Sequence, residues 1–160
     1  IPSGVFSEVN DQEYLNNSKQ AYEIIQKYIP KKFVAETSFY RKNELNIIDQ
    51  EYIEGKANFV IGYHTKNKRL LNNLEKFLES SLVLLEKQKW LPDLDIHRKQ
   101  GGFALNNVIF NKYNCPKIVD FTAYYDVFRL YPYRQKIEIK LKSKKIKDLL
   151  KWVKTKKNNL

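Results

Sequence analysis

The chain has 160 residues, 42% of them hydrophobic and 14% aromatic, and carries a net charge of +11 from 29 basic and 18 acidic residues. That length supports one core-forming domain, and that composition excludes a largely disordered polymer. No apolar run approaches the roughly 18 residues of a membrane helix, and the single cysteine, Cys115, excludes an intrachain disulfide and a cysteine zinc site.

Residues 1–10 lack the basic start and apolar stretch of a signal peptide. An intracellular, reducing compartment is therefore expected. Residues 1–9 and 155–160 are expected to be flexible ends of a single domain. Residues 10–29 are predicted to be helical, because Tyr14, Leu15, Ser18, Tyr22, Ile25 and Ile29 recur on one face. Asn10 with Glu13 suits a capping arrangement, and Pro30 ends the run.

Residues 33–65 are predicted to form a β-meander. Its strands are Phe33–Tyr40, Leu45–Ile53 and Ala57–Thr65, with turns at Arg41–Glu44 and Glu54–Lys56. Residues 67–86 carry the plainest helical signal: Leu70, Leu71, Leu74, Phe77, Leu78, Leu82 and Leu85 make an unbroken apolar stripe. Its end, SLVLLEKQ, also suits a strand. Residues 87–101 read as a polar connector ending at Gly101-Gly102.

Phe103–Phe110 and Ile118–Leu130 read as strands joined by a turn at Asn114-Cys115-Pro116. Lys136–Lys142 (KIEIKLK) alternates strictly and predicts a strand with Ile137, Ile139 and Leu141 facing inward. Ser143 then caps a last helix over 144–157, whose apolar stripe is Ile146, Leu149, Leu150 and Val153. The fold class is α+β: helix, β-meander, helix, strands, helix, with a mostly antiparallel sheet and helices on one face.

The excess charge is not evenly spread. From Arg134 to Leu160 there are eleven basic residues against Glu138 and Asp148, a net +9, and the rest of the chain is close to balanced. Such a concentration attracts a polyanion. The expected partner is nucleic acid, DNA or RNA, bound by Arg134, Lys136, Lys140, Lys142, Lys144, Lys145, Lys147, Lys151 and Lys154. Tyr131, Tyr133 and Trp152 lie among these cations, where aromatic rings suit stacking on unpaired bases, although Trp152 also suits the core. An acidic membrane surface is a less favoured partner. A solvated face with no ligand is the plain alternative.

A metal-dependent nuclease is a second reading. Asp120 precedes Glu138-Ile139-Lys140, and in such enzymes carboxylates hold Mg²⁺ while a lysine orients the attacking water. On a strand, Glu138 and Lys140 share one face, as the chemistry requires. Asp93 and Asp95 would share one side of a short strand, where they suit a metal or a polar loop. His64 and His97 have no ligand spacing, and no phosphate-cradling glycine loop or dinucleotide fingerprint is present.

The stretch Phe33-Val34-Ala35-Glu36-Thr37-Ser38-Phe39 follows a helix and opens a hairpin. It resembles the end of the signature in LAGLIDADG homing endonucleases. Ala57–Ser80 is similar to that family's second strand and next helix, and Tyr131-Pro132-Tyr133 to its Tyr-Pro-Leu segment. The resemblance implies an αββαββα fold, Glu36 as a metal-binding acid with Mg²⁺, and a hairpin, including Arg41 and Lys42, laid in the DNA major groove. It also implies a homodimer on DNA, or a maturase on RNA. Where the family's helix carries small residues, this chain reads Tyr28-Ile29-Pro30-Lys31-Lys32. The resemblance therefore points to a catalytically degenerate module with no cofactor, with a cleaving enzyme or an assembly domain in a larger complex as alternatives.

Overall fold

The computed structural model describes residues 4–9, 12–56, 60–120 and 132–160. The chain is α+β, with antiparallel sheets and three helices among these residues. The helices are α1 (Gln12–Tyr28), α2 (Lys68–Gln88) and α3 (Pro132–Asn158). The strands are β1 (Gly4–Val9), β2 (Thr37–Lys42), β3 (Leu45–Glu51), β4 (Gly55–Lys56), β5 (Val60–Gly62), β6 (Ile96–Lys99), β7 (Gly102–Leu105), β8 (Val108–Asn111) and β9 (Pro116–Ile118). They form three three-stranded sheets, ordered β1-β3-β2, β4-β8-β9 and β5-β7-β6.

The predicted β2–β3 hairpin is present. Its two-residue turn places Asn43 and Glu44 at φ 51° and 64°, the left-handed pair that matches strand twist. The meander stops there. β4 pairs with β8 and β5 with β7, so the expected third strand does not join β3. Residues 57–59 of that strand lie outside the described residues, as do Asn10 of the expected cap and most of the expected strand 118–130. Gly4–Val9, expected to be part of a flexible end, pairs with residues 46–51 of β3.

α2 is the centre of the core. Leu70, Leu71, Leu74, Phe77, Leu78 and Leu85 are buried as their spacing predicts, and Leu84 joins them. The helix runs through the ambiguous SLVLLEKQ segment to Gln88. Asn67 caps its start by accepting the Leu70 N–H at 3.0 Å, and Lys89 closes it in the left-handed conformation at φ 55°. Tyr22 and Ile25 of α1, Ile29, Phe33 and Val34 beyond it, and Ile146, Leu149, Leu150 and Val153 of α3 complete the cluster. The connector read as polar is not: Trp90, Leu91 and Leu94 are buried, and β6 follows them.

The largest correction is at the carboxyl end. Lys136–Lys142, predicted as a strand, belongs to α3, which begins at Pro132 and continues unbroken to Asn158. Proline at the first helical position loses no hydrogen bond, because that N–H has no intrahelical acceptor. Ser143 is therefore within the helix rather than its cap. The last turns are tied down: Thr155 Oγ1 donates to Lys151 O at 2.9 Å, and Lys157 pairs with Glu75 of α2. No described helix is long and apolar enough to cross a membrane.

Candidate nucleic-acid interface

A helix turns about 100° per residue, so its charges sort by spacing rather than by order. Lys136, Lys140, Lys144, Lys147 and Lys151 are four, four, three and four residues apart, and together span an arc of about 80°. All five are exposed. None is in an ion pair among the described residues. They run about 22 Å along the axis, beside a shallow groove of about 500 Å³ whose floor includes Ile139 and Ser143. Asp148 is the one carboxylate at its border. Tyr133, 78% exposed, stands at the start of the same face.

The buried face of α3 lies on the other side and explains why the lysines point outward. Ile146, Leu149, Leu150 and Val153 pack inward, chiefly on α2. Lys154 continues the stripe but reaches Glu79 of α2 at 3.3 Å, so its charge is already opposed. Arg134, Lys142 and Lys145, predicted to join the same surface, are turned to a different flank. They line a cavity of about 720 Å³ between α3 and the Leu91–Ile96 segment, with Asp93, Asp95 and Glu138. Lys142 Nζ donates to Leu91 O at 2.7 Å. Burial pushes its pKa down from the ordinary lysine value, and the Asp93 and Glu138 carboxylates act the other way.

The nuclease constellation does not assemble. On a helix, residues two apart project about 200° from each other, so Glu138 and Lys140 do not share a face: Glu138 lines the Asp93 cavity and Lys140 the lysine groove. Asp120 is exposed just past β9. Glu36 is exposed ahead of β2, and its backbone rather than its carboxylate is engaged. Its N–H donates to Glu51 Oε1 at 3.0 Å and its carbonyl accepts the Glu51 N–H at 2.8 Å. Among the described residues, no three His, Cys, Asp or Glu side chains are grouped to hold a metal ion.

Asp93 and Asp95 serve the loop. Asp93 Oδ1 accepts the Asp95 N–H at 2.9 Å, and Asp95 Oδ2 accepts from Asn106 at 2.9 Å. Arg41 and Lys42 are exposed at the end of β2, in the sheet that packs on α1, whereas α3 packs on α2 and β6.

One cluster is missing from the sequence reading. Tyr63, 65% exposed, meets the half-buried Trp152 ring edge-on at 6.4 Å, and Trp152 leans on Phe103 at 5.6 Å. The Arg98 guanidinium lies 5.4 Å from the Phe103 ring, and Lys156 lies 6.0 Å from the Trp152 ring and donates to Tyr63 O. The members come from three separated segments, Tyr63, the β6–β7 hairpin and the end of α3, so no local motif marks them. Only the glycines hint at the site: Gly101, at φ 83°, turns the β6–β7 hairpin against Tyr63.

No family model, curated protein or solved structure matches the chain. What the fold and this surface define is an α+β domain with a lysine-striped carboxyl-terminal helix.

Proposed function

We propose that the protein is a nucleic-acid-binding domain in which the exposed face of α3 tracks a phosphate backbone. The supporting observation is the gathering of Lys136, Lys140, Lys144, Lys147 and Lys151 on one arc with no opposing ion pair among the described residues. Lysines used this way contact phosphates as point charges, so binding is strong at low salt and indifferent to sequence. Tyr133 adds an exposed ring on the same arc, and the exposed Tyr63, set against the half-buried Trp152, adds a second ring off that arc; both are suited to unpaired bases.

The narrower form of this proposal is a non-cleaving homing-endonuclease- or maturase-like module, carried by the pattern of Phe33–Phe39 and Ala57–Ser80. The direct test is titration of labelled RNA and DNA oligonucleotides, single- and double-stranded, at about 50 mM salt, where phosphate-led binding is strongest. Absence of association with all of them rejects the reading.

A further inference from the structure

A second concentration of positive charge lies away from α3, and it is concave. Lys32 of the turn after α1, Arg69 of the first turn of α2 and Lys117 of β9 line a hollow of about 410 Å³. Asn73, Asn111, Tyr113 and Cys115 complete its wall, and no Asp or Glu is among the lining residues. Glu51 pairs with Lys117 at 2.7 Å from outside. Lys32 donates to the neutral Asn73 amide oxygen at 3.3 Å and lies 4.9 Å from the Phe33 ring. Arg69 is in no ion pair among the described residues; its guanidinium lies 5.9 Å from the Tyr113 ring. Lys112 lies on the same ring at 5.4 Å, and Tyr113 is 55% exposed.

The hollow is built rather than incidental. Asn111 Oδ1 accepts the N–H groups of Tyr113 and Cys115 at 2.9 and 3.1 Å, which holds the β8–β9 turn with Asn114 at φ 59°. Asn73 Nδ2 donates to Asn114 O at 3.1 Å and fixes that turn to α2. The Cys115 thiol reports the field inside. Burial pushes it up, while Lys32, Lys117 and Arg69 each pull the other way, so all three cations act on one point. Cations held together without an acidic residue in the wall repel one another, and a compact dianion relieves that repulsion while accepting hydrogen bonds from guanidinium and ammonium together.

We propose that this hollow binds a phosphomonoester dianion through Lys32, Arg69 and Lys117, with the attached nucleoside against Tyr113. The site is separate from the lysine stripe and does not depend on it. Two sources share this chemistry: the 5′-phosphate end of a nucleic-acid strand and a free nucleoside monophosphate.

The test has two arms, each with the wild type and Arg69→Gln, an exposed position whose replacement leaves the core intact. In the first, fluorescence anisotropy compares oligonucleotides of one sequence bearing a 5′-phosphate or a 5′-hydroxyl. In the second, calorimetry compares adenosine monophosphate with adenosine. A preference of about tenfold for the phosphorylated form, lost in Arg69→Gln, is expected in at least one arm. A preference confined to the oligonucleotides assigns the strand end, and one confined to the monophosphate assigns the free nucleotide. No preference in either arm overturns the proposal, even if both oligonucleotides bind, which would leave the α3 reading standing. Monophosphate binding without any oligonucleotide binding supports the hollow and removes the α3 reading.

Discussion

Neutralising the α3 stripe is the most discriminating perturbation. Replacing Lys136, Lys140, Lys144, Lys147 and Lys151 with Gln removes five exposed charges and no buried contact, and lysine and glutamine have nearly equal helix propensity. If each lysine neutralises one phosphate, the slope of log affinity against log salt contributed by the stripe is about −4.5 on duplex DNA and about −3.5 on single strands. Between about 50 and 200 mM salt the wild type should lose roughly 100- to 500-fold in affinity through these contacts alone. The five-fold variant should bind more weakly at low salt and show a slope flatter by about 3.5 to 4.5.

Anisotropy titrations at four or five salt concentrations measure the slope, and circular dichroism checks that the helix survives. Lys154→Gln is the internal contrast: that ammonium is already opposed by Glu79 at 3.3 Å, so its removal should change the slope by less than Lys151→Gln does. A slope unchanged within about one unit in the five-lysine variant refutes the interface, whatever the absolute affinity.

The remaining predictions address other parts of the molecule. Tyr63→Ala should weaken binding to single-stranded oligonucleotides by about 1–3 kcal/mol, as loss of one stacked base does; an equal loss on duplex of the same length would rule out stacking. Phe77→Ala, at a fully buried ring 5.7 Å from Phe33 and edge-on to it, should cost about 3–5 kcal/mol in urea unfolding, and a cost below about 1 kcal/mol would remove α2 from the centre of the core. Burial by itself raises the Glu51 carboxyl, but hydrogen bonds from Lys117 and from the Glu36 N–H outweigh it and leave the pKa below its ordinary value. A carboxyl depressed on folding stabilises above its unfolded pKa of about 4.3 and loses that contribution as pH falls through the lower folded value. Wild type should therefore exceed Glu51→Gln in stability at pH 7 by a gap that closes below about pH 4; a constant gap across that range would show that the ion pair contributes nothing.

The parts of the fold visible in the sequence are those where one physical signal acts alone. α2 is legible because seven apolar residues at helical spacing admit a single face, and the structure buries nearly all of them. The β2–β3 hairpin is legible because its polar turn is short and its strands are adjacent in sequence. The places of β4 and β5 are not, because their pairings depend on partners many residues away: Gly55 meets Asn111 and Val60 meets Ala104. β1 escapes for the same reason, since it pairs with β3 across α1.

The basic surface was legible as a quantity but not as a geometry, and the difference lies in seven residues. KIEIKLK satisfies a period of two, yet Ile137 and Leu141 are largely exposed, so inward packing does not impose that period. The segment instead continues the helix that Ile146, Leu149, Leu150 and Val153 anchor on α2. Helix formation is cooperative, and extending an existing helix through Lys, Ile, Glu and Leu costs little compared with starting a strand that has no partner. The change of period then reassigns every charge. As a strand, Lys136, Glu138, Lys140 and Lys142 would form one mixed row. As a helix, Lys136 and Lys140 fall into line with Lys144, Lys147 and Lys151. Glu138 turns away to the Asp93 cavity, as does Lys142. The same turn of the backbone that separates the expected nuclease pair therefore removes the only carboxylate that would have interrupted the amino-terminal half of the lysine row. A single conformational fact thus lowers the case for metal-dependent cleavage at Glu138 and Lys140 and raises the case for phosphate binding, and the salt slope of the five-lysine variant measures the second directly.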